Sequence, residues 1–226
     1  MHLPEITTPA ELYNYYKGLY DADIAYAITK DLKRTCLGDK DFKLDHLQGQ
    51  NPLYNVLNAY AHYDPSIGYC QGMNFIVALL LHVLENEEDS FYCFVHVMKT
   101  HGWRGCYDGT TSKLISFLDF LQCVLETAYS DVYQHVQFEI DESLVPVFAS
   151  NIQTIFIRDC PNQIATHIFE VFLLDGEQVI FTLLVKMIEL QEQTILKILG
   201  HDLLVYMQSI MPYESLRLYP MMTLLD

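Results

Sequence analysis

Apolar residues recur along most of this chain at spacings of three and four positions, the period of one face of an α-helix. The clearest run comprises Leu114, Phe117, Leu118, Leu121, Val124, Leu125 and Ala128. Residues 72–84 are apolar nearly all round, as in a helix buried at the centre of a domain. No segment alternates apolar and polar residues between hairpin turns, so the sequence predicts an all-α fold with no significant sheet.

Further helices are predicted from the same periodicity. They cover residues 55–63, 88–98, 144–157, 163–173, 178–190 and 202–211. Breaks are expected where proline or glycine opposes the helical backbone, at 64–68, 102–109, 160–161 and 175–176. Pro161 can open the helix that follows at its first position. Since these breaks are short and no repeat is evident, we predict a single multi-helix domain over residues 1–226.

Composition and charge exclude several classes of protein. The 226 residues are 51% apolar and 19% charged, which excludes intrinsic disorder. The formal net charge of −16 opposes binding to nucleic-acid phosphates and to anionic lipid headgroups. The longest uncharged apolar stretch, 75–84, is about half as long as a bilayer span. We therefore expect no nucleic-acid partner and no direct membrane insertion.

Cysteine and histidine usage points to an intracellular protein without a metal centre. The six cysteines form no Cys-x-x-Cys pair and are typical of packed thiols in a reducing compartment. No secretory signal is predicted, because residues 1–11 are poor in basic residues and contain two prolines. The nine histidines show no paired ligand spacing, so no metal site is expected. The acidic run at 85–89 is typical of a solvated helix start.

Two short segments carry candidate functional residues. In the first, 28–35, Asp31 and Arg34 are three positions apart, so on a helix they share a face and could pair. In the second, 68–75, glycines flank a tyrosine and Gln71, which suggests a tight backbone that presents these side chains at a surface. From the residues alone, Arg34 is also compatible with an exposed cation at a helix end. Gln71 is equally compatible with an ordinary helix start.

Together these segments resemble the TBC domain, the GTPase-activating module for Rab-family small GTPases. The family's arginine motif, Ile-x-x-Asp-x-x-Arg, is matched by Ile28, Asp31 and Arg34. Its glutamine motif, Tyr-x-Gln, is matched by Tyr69 and Gln71, and the 34 residues between Arg34 and Tyr69 suit the family. Later segments of the chain also resemble the family's later helices, at 147–151, 158–161 and 168–176.

The resemblance implies a GTPase-activating protein whose catalytic residues are supplied in trans. Arg34 would be an arginine finger that contacts the β- and γ-phosphate oxygens, and Gln71 would orient the attacking water. The implied partner is a GTP-bound Rab-family GTPase, which itself carries GTP and Mg²⁺, so no cofactor is expected in this chain. The implied location is the cytoplasm, with transient recruitment to membranes that carry the Rab.

Five further residues are expected to support this site. Asp31 would fix the helix end beside the finger, unless it forms only a solvated ion pair, and Tyr69 would brace the loop of the glutamine motif. Ile28 is expected in the core. Gly68 and Gly72 are expected to permit close backbone approach.

The chain departs from the family pattern at several positions. The family's N-terminal Arg-x-x-x-Trp helix is not found, Phe169-Glu170 stands where Trp-Asp is common, and Cys36-Leu37 follows the arginine motif. An alternative is therefore a catalytically weak Rab-binding scaffold with the same fold. A helical interaction module without any link to GTPases is a third hypothesis, in which both motif matches are coincidental.

Overall fold

The computed structural model describes residues 8–33, 35, 51–140 and 144–218. No strand occurs among these residues, and the all-α prediction is confirmed. The α-helices are α1 (Pro9–Lys17), α2 (Ala22–Leu32), α3 (Pro52–Tyr63), α4 (Met73–Leu84), α5 (Glu87–Lys99), α6 (Ser112–Ala128), α7 (Ser130–Ile140), α8 (Leu144–Gln153), α9 (Asn162–Asp175), α10 (Gln178–Ile195), α11 (Gly200–Val205) and α12 (Met211–Leu218). Short 3₁₀ helices lie at Trp103–Cys106 and Ile157–Asp159, and a π-helical turn, Tyr206–Ile210, joins α11 to α12.

Polar side chains fix the helix starts in the first part of the chain. Thr8 and Glu11 form a reciprocal capping box at α1, with hydrogen bonds of 3.0 and 3.2 Å. Asp21 caps α2, Asn51 caps α3, and Asn86 caps α5, each by accepting a backbone N–H of the first turn. These caps satisfy amide groups that have no partner within the helix.

The chain divides into two compact units, Met1–Gly109 and Thr110–Asp226. In the first unit α3 packs against α1, α2, α4 and α5, and its residues 53–61 are all buried. Aromatic rings of α1, α3 and α5 pack on one another, with centroids 4.7 Å apart for Tyr60 and Phe94 and 5.3 Å apart for Tyr13 and Phe91. Helix α2 and the loop between α3 and α4, where Asp31 and Tyr69 lie, therefore belong to one packed unit.

In the second unit α6 packs against α7, α8 and α10, and α9 packs against α10. The buried face of α6 consists of Leu114, Leu118, Leu121 and Leu125, which follow the predicted period. Other members of the predicted face, such as Ala128, lie nearer the solvent. The expectation of a single domain over the whole chain stays a prediction.

The predictions for the second unit need correction at four points. The helix predicted over 144–157 ends at Gln153, because Ile155 and Phe156 adopt φ values of 52° and 57° that no helix can continue. Pro161 is the N-cap of α9 rather than its first residue. The segment 202–211 is interrupted by the π-helical turn, and α7 was not predicted at all.

Within the described parts of the chain, no helix is both long and apolar enough to cross a membrane.

Candidate functional site

The arginine motif lies at the C-terminal end of α2. Ile28 is fully buried in the core of the first unit, and Asp31 is only 3% exposed. Arg34 lies outside the described residues, as does the Cys36-Leu37 departure. The neighbours of Arg34 in sequence are both described: Lys33 is the C-cap of α2, and Thr35 is buried.

The glutamine motif lies in the loop between α3 and α4. Gln71 is exposed, whereas the following residue, Gly72, is buried and has a φ of 104°. Gly68 has a φ of 66°, a left-handed conformation that L side chains rarely adopt. No atom lies within 4 Å of a Cβ placed on Gly68, so the expectation of close backbone approach is wrong there. The backbone conformation at this position favours glycine.

A hydrogen-bond network joins the two motifs. We call it the Asp31–Asn74 network, and it comprises Asp31, Thr35, Tyr69, Gly72 and Asn74. The Tyr69 hydroxyl donates to the Asp31 carboxylate at 2.7 Å, and the Thr35 hydroxyl donates to the Asp31 carbonyl at 2.7 Å. The Asn74 amide donates to Thr35 Oγ1 at 2.7 Å, and its oxygen accepts the Gly72 N–H at 3.0 Å. The network thus connects the residues on either side of Arg34 to those on either side of Gln71.

The Asp31 carboxylate accepts one bond of this network directly, from the Tyr69 hydroxyl. The Tyr69 hydroxyl has a single proton, which the 2.7 Å contact assigns to Asp31, so its 3.4 Å approach to the Asn74 oxygen is the weaker contact. Because Asp31 is buried, the alternative of a solvated ion pair at this residue is wrong.

Sequence reasoning did not assign a role to Asn74. This residue is 1% exposed and makes two of the hydrogen bonds in the network. A signal was available, since Asn74 is the one polar residue in the first two turns of an otherwise apolar helix. A buried amide in such a position must find partners, because an unpaired one costs free energy.

Other candidate residues have structural roles. Burial raises the pKa of the Cys70 thiol, and its Sγ lies 3.5 Å from the Tyr107 carbonyl oxygen, as expected of a packed thiol. Glu87 is not part of a solvated helix start: it accepts hydrogen bonds from Tyr13 at 2.7 Å and Asn55 at 3.0 Å. No cluster of three or more histidine, cysteine or acidic residues that could hold a metal ion is found in the described ranges.

The fold is that of known Rab GTPase-activating domains. The crystal structure of the Chlamydomonas flagellar RabGAP TBC domain superimposes with a TM-score of 0.65 at 20% identity, over 95% of this chain and 75% of that one. The Ypt/Rab-GAP domain of Gyp1p superimposes with a TM-score of 0.71 at 14% identity, over 89% of this chain and 71% of that one.

The sequence model of the Rab-GTPase-TBC domain matches residues 7–196, and the chain belongs to this family. The human ecotropic viral integration site 5 protein homolog is 28% identical over 83% of this chain and 23% of its own length. The Rab GTPase-activating protein eat-17 of Caenorhabditis elegans is 32% identical over 80% of this chain and 20% of its own. This chain therefore spans about a fifth of the length of these two relatives.

Proposed function

We propose that this chain activates GTP hydrolysis by a Rab-family small GTPase, with Arg34 and Gln71 as the catalytic residues supplied in trans. GTP hydrolysis spreads charge over the transferring phosphoryl group and requires a water molecule held in line with it. The GTPase contributes its phosphate-binding loop, GTP and Mg²⁺. The activator then needs to add a cation and a group that orients the water.

The observation that carries this proposal is the Asp31–Asn74 network. Thr35 follows Arg34 directly in the chain, and Thr35 is hydrogen-bonded to Asn74 at 2.7 Å. Gln71 lies three residues before Asn74, and its neighbour Gly72 donates its backbone N–H to the amide oxygen of Asn74. Two groups that act on one phosphoryl group must be held in fixed relative positions, which a buried network provides.

Each proposed catalytic residue has a side chain suited to its task. A guanidinium is planar and permanently charged, and its fork of donors matches phosphate oxygens. An arginine finger accelerates hydrolysis by about 10³ to 10⁵, which corresponds to roughly 4 to 7 kcal/mol of the barrier. Gln71 is exposed on its loop, so its amide is available to a partner.

Phosphate release from a panel of GTP-loaded Rab proteins, with and without this chain, tests the proposal. Arg34→Ala should lower the acceleration of the responsive Rab by at least about 10³, and Arg34→Lys should not restore it fully, because an ammonium lacks the planar fork. Arg217→Ala, an exposed arginine in α12, is the matched control and should retain activity. If this chain accelerates hydrolysis by none of the Rab proteins in the panel, the proposal is refuted.

The role of Gln71 is tested with a Rab whose own catalytic glutamine is replaced by leucine. If Gln71 orients the water, this protein should still accelerate hydrolysis by the altered Rab, whereas an activator with an arginine finger alone should not. Gln71→Ala should remove that acceleration, and Gln163→Ala, an exposed glutamine in the second unit, should not. Complete insensitivity of the altered Rab, with binding preserved, would leave Arg34 acting alone.

The weak-scaffold alternative predicts Rab binding without acceleration. It arose partly from Phe169-Glu170, where the family commonly has Trp-Asp. The structure shows that Phe169 is 5% exposed and stacks on Phe172 with ring centroids 6.1 Å apart, so an aromatic side chain still fills this core position. Glu170 is exposed, so its side chain lies outside the core.

A further inference from the structure

A second arginine of the first unit contacts the start of the loop that carries the glutamine motif. Arg104, in the 3₁₀ helix Trp103–Cys106, donates to both carboxylate oxygens of Asp64, from Nε at 2.7 Å and from Nη2 at 3.2 Å. Nη2 also donates to the Ser66 hydroxyl oxygen at 2.6 Å, and that hydroxyl donates to Asp64 at 2.6 Å. Such two-point recognition of a carboxylate gives geometric specificity as well as energy.

Asp64 is the residue from which the loop starts. Its backbone N–H donates to the Tyr60 carbonyl and closes α3, and its own carbonyl accepts the N–H groups of Ile67 and Gly68 at 3.0 and 2.9 Å. Its side chain is 11% exposed, against 37% for that of Arg104. The Arg104 guanidinium holds the pKa of Asp64 below its usual value, so the pair is ionised at neutral pH. Arg104 therefore fixes the residue that sets the direction of the loop.

The same segment touches the loop at a second point, next to Gln71. The Tyr107 carbonyl oxygen lies 3.5 Å from Cys70 Sγ, and Cys70 directly precedes Gln71. Trp103 and Tyr107 are buried at 0% and 6% exposure, which anchors the segment in the core on either side of Arg104. The loop is thus held at its start by Arg104, near its tip by Tyr107, and at its end by the Asp31–Asn74 network.

We propose that Arg104 is a positioning residue for Gln71, acting through Asp64 and the loop 64–72. This inference rests on the proposed function, because it assigns Arg104 to the water-orienting half of the catalytic pair. The donors of Arg104 that face the loop are already used by Asp64 and Ser66. Arg104 is therefore distinct from the proposed finger, and its effect on hydrolysis is transmitted through the backbone that carries Gln71.

Arg104→Gln removes both the positive charge and the planar guanidinium donors. The kinetics of this variant test the positioning role. We expect kcat for the accelerated reaction to fall about tenfold with KM changed less than about twofold, since small displacements of a positioned group are costly. Arg158→Gln is a matched control. Arg158 also pairs with an aspartate, Asp159, at 2.7 Å and with a serine, Ser150, but lies in the second unit. The Arg158→Gln variant should leave kcat unchanged.

A double-mutant cycle separates positioning of Gln71 from a general structural role. If Arg104 acts through Gln71, Arg104→Gln should cause no further loss of kcat in a Gln71→Ala background. Losses that multiply in the double variant would overturn the proposal. Arg104→Lys, which keeps the charge and loses the fork, should show a smaller loss and provides a second variant if Arg104→Gln folds poorly.

Hydrogen–deuterium exchange tests, independently of any GTPase, whether Arg104 holds the loop 64–72 in place. In Arg104→Gln the amides of Ile67, Gly68 and Gly72 should exchange at least about tenfold faster than in the wild-type chain, while the interior amides of α4 should be unchanged. Unchanged exchange in the loop would overturn the inference whether or not the chain activates a Rab. Failure of the wild-type chain to accelerate any Rab, together with faster exchange in the variant, would refute the proposed function and leave Arg104 as the clamp of this loop.

Discussion

Replacing Asn74 by alanine removes the side chain that links the two motifs without introducing bulk or charge. Asn74 is 1% exposed and lies in the first turn of α4, where alanine is a good helix former. The substitution deletes the 2.7 Å bond to Thr35 and the 3.0 Å bond from Gly72. Any effect on hydrolysis then reports the loss of this link.

The expected loss in the free energy of unfolding follows from these two hydrogen bonds. The bond to Thr35 contributes about 1 kcal/mol, and leaving the buried Gly72 N–H without this acceptor costs about 1 to 3 kcal/mol. The free energy of unfolding should therefore fall by about 2 to 4 kcal/mol. For a chain of this length that lowers Tm by about 5 to 15 °C.

The assay compares Asn74→Ala with Asn151→Ala. Asn151 is a buried amide of the second unit, and it donates to Asp159 at 2.8 Å and to the Gln208 carbonyl at 3.0 Å. The two variants should lose similar stability in thermal unfolding. At a temperature where both are folded, Asn74→Ala should lower kcat for accelerated GTP hydrolysis by the Rab at least about tenfold, and Asn151→Ala should lower it little.

Two results would contradict this reasoning. A Tm of Asn74→Ala within about 1 °C of the wild type would show that the network contributes no stability. Equal kcat for Asn74→Ala, Asn151→Ala and the wild type would show that the link between the motifs is not used in activation.

Three further predictions concern stability. Gly68→Ala should lower the free energy of unfolding by about 1 to 2 kcal/mol in urea titrations although the site is open, because its φ of 66° disfavours a Cβ; an unchanged midpoint would contradict this. Burial raises the pKa of Cys160 from 9.0 to about 12, so the unfolded chain loses its proton first and stability should fall as pH rises from 9 to 12. Cys160→Ala should flatten that slope, and an unaltered slope would refute the assignment. The pH dependence due to Asp64 has the opposite sign, because the pKa of this carboxyl is lowered in the folded chain. Its contribution to the free energy of unfolding should therefore be lost as pH falls below about 4. Asp64→Asn should remove this dependence from acid unfolding curves.

Local pattern was sufficient to predict α3 to α6 and α8 to α10, apart from the end of α8. The faces of α4 and α6 repeat with the helical period, and the proline after Asp64 marks the end of α3. The left-handed backbone of Ile155 and Phe156 could not be predicted, because both residues ordinarily disfavour it and packing imposes it: both are fully buried.

The partners within the site were also beyond sequence reasoning. Tyr69 and Asp31 are separated by 38 residues, and Arg104 and Asp64 by 40. Periodicity indicates which face of a helix is buried, but it does not indicate which distant side chain meets that face. The motifs of the family supplied Arg34 and Gln71 as candidates, whereas the roles of Asn74 and Arg104 required the structure.

The contacts of Glu87 have a consequence for the order in which the first unit assembles. Closing the chain between Tyr13 and Glu87 spans 74 residues and between Asn55 and Glu87 spans 32, a difference that costs only about 0.7 kcal/mol in loop entropy. Chain length therefore sets no strong order. The packing sets no order either, because α1 contacts both α3 and α5 and has one partner on each, Asn58 and Glu87. Helices α1, α3 and α5 therefore depend on one another, since Tyr13 and Lys17 of α1 and Asn55 of α3 all bind the Glu87 carboxylate of α5.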